Sequence, residues 1–145
     1  MADLGIHEFG HLLLRAWVPQ LLEAMAGNGL QTAAPPGFAL YFLLRPPVGR
    51  TRDLAAAGLC LGWCASTLQD ASIYIADAPY QELPLLHEGS IHDWAYILGP
   101  EQLDALGSAH LFAWSVYRTG ECVWPAGAGL CLFTLTTAVR RRAKG

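Results

Sequence analysis

LAAAGLCLGWCASTLQDASIYIA, from Leu54 to Ala76, holds a single charged side chain, Asp70. A run of that length and polarity reads as a helix able to cross a bilayer, which takes about 20 apolar residues. Beyond it, residues 77–102 form a polar loop, with Pro79, Pro84, Gly89 and Gly99 as breakers. The next apolar stretch, Leu103 to Val139, predicts a last helix that Pro125 kinks or splits. A basic tail, residues 140–145, closes the chain with Arg140, Arg141, Arg142 and Lys144.

On the other side lies a short link holding Arg45, Arg50 and Arg52, preceded by a charge-free stretch from Ala24 to Leu44. Gly27, Asn28 and Gly29 suit a turn at its start, and Pro35-Pro36 predicts a break within it. Met1 to about Trp17 is helical in pattern and is ended by Pro19. The fold class expected is all-α: one domain over residues 1–145, a polytopic helical membrane protein with about four hydrophobic helices. The first is short or truncated, because only six residues precede His7.

Composition argues the same way. Of the 145 residues 53% are hydrophobic and 14% charged, against about 25% charged in a soluble domain. Mean hydropathy is +0.30. The net charge of −3 leaves no basic surface for nucleic acid. Cys60, Cys64, Cys122 and Cys131 lie in apolar segments without a CxxC pair, so they read as small apolar residues. No cleavable signal peptide is visible at the start. The link and tail are basic, whereas the stretch from Asp77 to Asp104 holds acidic residues and no Lys or Arg. The positive-inside rule therefore puts the tail in the cytoplasm and the acidic loop outside. One continuous last helix satisfies this topology.

His7-Glu8-Phe9-Gly10-His11 is an H-E-x-x-H sequence. Residues four apart share a helix face, so both imidazoles can reach one metal ion. Glu8 between them stands beside the remaining coordination position, where it can take a proton from water and later deliver it to a leaving amine. Ionisable residues in an apolar helix point to function.

A catalytic zinc usually has three protein ligands. Asp70, an isolated carboxylate in an apolar helix, is one candidate for the third, and His92 in His92-Asp93-Trp94 is another. Asp77 and Asp93 also remain open: either could ligate, and Asp93 could instead orient an imidazole. Trp94 and Tyr96 fit an interfacial aromatic belt. His87 reads as a solvated loop residue and His110 as a hydrogen-bonded packing residue.

His7-Glu8-x-Gly10-His11 in a hydrophobic helix resembles the site-2-protease class of intramembrane zinc metallopeptidases. That resemblance implies Zn2+ held by His7 and His11, with Glu8 as acid/base and a later aspartate completing the site. Asp70 corresponds only by position, since Leu68-Gln69-Asp70-Ala71 departs from the Leu-Asp-Gly setting of that class. Tyr74-Ile75-Ala76-Asp77-Ala78 and His92-Asp93-Trp94, together with the N-terminal motif, also resemble a family of small uncharacterised bacterial membrane proteins. That likeness covers roughly Ala2 to Gly99.

The function expected is a zinc-dependent peptidase of the bacterial inner membrane, with membrane lipid around it and a membrane protein or peptide as substrate. The alternative is a non-catalytic membrane protein whose metal is structural, sensed or transported.

Overall fold

The computed structural model describes residues 2–44, 52–85 and 91–143, with side chains from Gly5 onward. Among these residues it is all-helical. The elements are α1 (Ala2–Leu14), α2 (Gln20–Leu44), α3 (Leu54–Asp77), the short α4 (Asp93–Leu98), a 3-10 turn at Leu106–Ser108, and α5 (Ala109–Arg142). His87, Arg45, Arg50 and Lys144 lie outside the described residues.

Each helix boundary has a local cause. Pro19 ends the turn after α1, and its carbonyl accepts from Leu22 and Glu23 N–H. Proline suits this position because a helix start has no use for its missing N–H. Asp53 caps α3 by accepting from Ala56 N–H at 2.9 Å. At the other end of α3 the Asp77 carboxylate accepts the N–H groups of Glu82 and Leu83 at 3.0 and 3.1 Å. Gln81 there takes a left-handed φ of 54°.

The break expected at Pro35-Pro36 does not occur, and the last helix is not split. Pro35 and Pro36 lie inside α2, and Pro125 lies inside α5. An interior proline costs a helical hydrogen bond, about 3 kcal/mol in water, but packing and an apolar medium tolerate it better. Pro35 is fully buried. Nor is Gly27-Asn28-Gly29 a turn: α2 begins at Gln20 and runs through it.

Successive helices are antiparallel neighbours. Gly10 of α1 abuts the Ala26 carbonyl of α2. The Phe38 and Trp63 rings stack across α2 and α3 at 6.3 Å. Between α3 and α5 the seam is built of small residues. A Cβ on Gly127 would stand 2.7 Å from the Gly58 carbonyl, and one on Gly120 would stand 3.0 Å from that of Ala65. On α5, Ala113, Gly120 and Gly127 recur every seven residues; on α3, Ala57, Cys64 and Ala71 do the same, and all are buried. A seven-residue period keeps one stripe of each helix facing its partner.

Consequently the interior is small and the exterior large. Among the described residues the buried apolar side chains are alanines, Cys64 and Pro35, apart from Ile75, Ile97 and Leu98. Leu111, Phe112, Trp114, Trp124, Leu132, Phe133 and Leu135 of α5 are all exposed. The larger buried side chains gather where α3, α4 and α5 meet, with Ile75 and Leu98 packed among Ala78, Ala109 and Ala113. This cluster is the foundation on which α4 rests. Among the described residues one helix, within Leu106–Arg142, is long and apolar enough to cross a membrane. α2 and α3 have the length, 25 and 24 residues, but neither holds a stretch that meets the same test.

Candidate metal centre

His7 and His11 lie one turn apart on α1 and turn towards α2. Their outer nitrogens are committed there. His11 Nδ1 is 2.8 Å from the Glu23 carbonyl, which can only accept, so Nδ1 carries the hydrogen. His7 Nδ1 is 3.1 Å from Gln31 Oε1 and donates likewise. In both rings the Nε2 lone pair is then left to point inward.

Asp93 meets them from α4. Its Oδ2 is 3.1 Å from His7 Nε2 and 3.2 Å from His11 Nε2, while the two Nε2 atoms are 3.0 Å apart. The side chains of His7 and Asp93 are each only 12% exposed. Three electron-pair donors thus face one another with little water to separate them. Such a triangle repels itself unless a proton or a metal ion sits among its corners.

The dimensions suit a small ion. Tetrahedral ligands at about 2.0–2.1 Å from zinc lie about 3.3–3.4 Å apart, close to the three separations seen. Two imidazoles and a carboxylate form a donor set that zinc accepts, and three protein donors leave a tetrahedral ion one position for water. The residues fit the metal. Comparison with protein-family models, curated proteins and solved structures finds no match.

Asp93 is itself held in place. Asn28 of α2 donates to its Oδ2 at 3.3 Å, and its backbone N–H donates to the Tyr74 hydroxyl at 3.2 Å. Neighbouring His92 caps α4, its Nδ1 accepting from Ala95 N–H at 3.2 Å. The hydrogen on His92 must then lie on Nε2, which is 3.2 Å from Asp77 Oδ2 but off the line of a good hydrogen bond. The Tyr74 ring covers the imidazole, with centroids 4.2 Å apart. Burial holds the His92 pKa below its ordinary value, against the opposing pull of Asp77, so the ring is neutral at pH 7.

The sequence-derived candidates therefore separate. His7 and His11 converge as their spacing predicts. His92 does not join them, because both its nitrogens face elsewhere: it fixes α4, so that the next residue, Asp93, reaches the histidines. Asp77 is the partner of His92. Asp70 is exposed on α3 and lies outside the group. Glu8 is exposed beside His7. His110 is also exposed, with Nε2 3.2 Å from the Tyr80 hydroxyl.

Sequence reasoning missed Asn28, Gln31 and the Glu23 carbonyl as supports for the donors. One signal was present: Asn28 and Gln31 are the two amide side chains in a charge-free stretch, three residues apart and so on one helix face.

Proposed function

We propose that this chain is an integral membrane metallopeptidase, with zinc held by His7, His11 and Asp93 and with Glu8 as the general acid/base. The convergence of three donor atoms beside the H-E-x-x-H glutamate carries this reading. A bound zinc supplies Lewis acidity, lowering the pKa of water to about 7 and polarising a peptide carbonyl. Glu8, exposed next to His7, accepts the proton of the attacking water and returns it to the departing amine. Gln31 and the Glu23 carbonyl keep the imidazoles in the metal-binding tautomer, and Asn28 steadies the carboxylate.

The membrane assignment is supported by the inverted packing. Lipid gives helices no hydrophobic reason to associate, so membrane helices pack through small residues and leave large apolar ones outside. The seam between α3 and α5 has that character. α2, α3 and α5 then form a polytopic bundle, with α1 too short to cross. The centre lies where α2 begins, α3 ends and α5 begins, opposite Arg52 and the end of α5 that carries Arg140, Arg141 and Arg142. In a bacterial inner membrane it would face away from the cytoplasm.

The test is Glu8→Gln in zinc-loaded protein reconstituted in bilayers, read by mass spectrometry on a pool of apolar transmembrane peptides. Cleavage by wild type, with loss of cleavage but not of zinc in the variant, is the expected result. Zinc retention without cleavage in either protein would leave a structural, sensing or transport site instead.

A further inference from the structure

Next to the metal centre a crevice of about 250 Å³ separates α2 from α5. It is lined by Leu68 and Ile75 of α3, Trp94 of α4 and Val116 of α5. Its polar margin is Asn28 and Thr32 of α2. Two residues tie it to the centre. Asn28 lines the crevice and donates to Asp93 Oδ2, and Trp94 follows Asp93 on α4. Trp94 also carries an indole Nε1 that is buried without a hydrogen-bond partner, a donor that ordinarily finds an acceptor.

We infer that this crevice is the specificity pocket of the proposed peptidase, seating one large apolar side chain of the peptide beside the bond to be cut. The inference rests on the metallopeptidase reading and adds the substrate class. Size is the first argument. The space equals about eight waters of about 30 Å³ each, enough for a leucine, phenylalanine or tryptophan side chain. A lipid chain reaching the midplane of a core about 30 Å thick outgrows it. The second argument is the polar margin of Asn28 and Thr32, which suits the amide accompanying a peptide side chain and which plain hydrocarbon has no use for.

The experiment measures binding of N-acetylated hydroxamates to the full chain, zinc-loaded, in nanodiscs. Acetohydroxamate reads the metal alone; alanine, leucine and phenylalanine hydroxamates read the pocket; octanohydroxamate reads an alkyl chain. The phenylalanine compound should bind about ten- to a hundredfold tighter than the alanine one. Val116→Trp, which fills the crevice, should bring that ratio below about threefold, with zinc content and acetohydroxamate affinity unchanged. Leu68→Ala, which enlarges it, should shift preference towards a naphthylalanine hydroxamate.

An undiminished phenylalanine preference in Val116→Trp overturns the pocket while leaving the metal reading intact. So does octanohydroxamate binding tighter than the phenylalanine compound and losing that advantage in Val116→Trp. Failure of both zinc and acetohydroxamate to bind overturns the metal reading and the pocket with it.

Discussion

The imidazole of His11 occupies the space that a side chain on Gly27 would need: a Cβ built there would fall directly against His11 Nε2. The glycine is therefore part of the candidate metal centre. Gly27→Ala must displace the ring, because the contact is with the donor atom itself. The expected outcome is loss of zinc by at least the 10- to 100-fold typical of disturbed ligand support, roughly, measured by metal titration. Gly29→Ala, with open space around its Cβ position, should bind zinc as wild type does.

Of the three carboxylates weighed for the third ligand, Asp77 is taken up by His92, and geometry separates the other two. Asp93 Oδ2 stands within 3.2 Å of both histidines, whereas Asp70 is exposed. Asp93→Asn should reduce zinc in the purified protein to background, while Asp70→Asn should retain one equivalent. Elemental analysis decides the metal too. A pair of histidines and one carboxylate also suits ferrous iron, so iron in place of zinc would turn the chemistry from hydrolysis towards oxygen activation.

Those two aspartates show how far the sequence can be read. The all-α class was legible because charge-free runs of helix length admit few other folds, and the histidine pair because a spacing of four fixes a helix face. The third donor was not: Asp70, His92, Asp77 and Asp93 all stood open. The cost of a charge in an apolar helix singled out Asp70, but that argument holds only for a carboxylate facing inward. Asp93 reaches the histidines because a capping His92, 3.2 Å from Asp77, sets the start of α4; nothing local encodes that meeting. Gly27-Asn28-Gly29 failed for the opposite reason. Its turn propensity is real, but the close approach of α1 needs a side-chain-free position and overrides it.

His92 offers a sharp distinction between supporting and ligating roles. His92→Ala removes the α4 cap and leaves Asp77 facing an apolar gap, so stability should fall by about 1–2 kcal/mol. Zinc should still bind, only more weakly. His92→Asn, which can accept from Ala95 N–H as the imidazole does, should recover part of the stability in denaturant melts. Complete loss of zinc in both variants would mean that His92 is a ligand after all.

Gln31 is the support most open to graded testing. Its Oε1 fixes the hydrogen on His7 Nδ1, so Gln31→Leu frees the ring to rotate and to place a hydrogen on Nε2. Zinc affinity should drop about 10- to 100-fold. Gln31→Glu keeps an acceptor oxygen there and should restore most of it. Equal affinities for wild type and Gln31→Leu would show that α2 does not orient His7.

The medium around α5 can be read from one exposed position. Leu132 and Phe133 lie on its outer face, 61% and 57% exposed. In water, replacing an exposed leucine with arginine is nearly neutral, within about 0.5 kcal/mol, and it should improve solubility. Near the centre of a bilayer-spanning helix the same change costs about 2.5–3.5 kcal/mol on the insertion scale. Leu132→Arg should therefore reduce membrane insertion several-fold in a translocon assay, while Arg141→Leu in the basic end should have little effect on insertion but weaken the cytoplasmic bias of the tail. Normal yield of soluble, zinc-binding Leu132→Arg protein would place α5 in water and leave its apolar face to be covered by another chain.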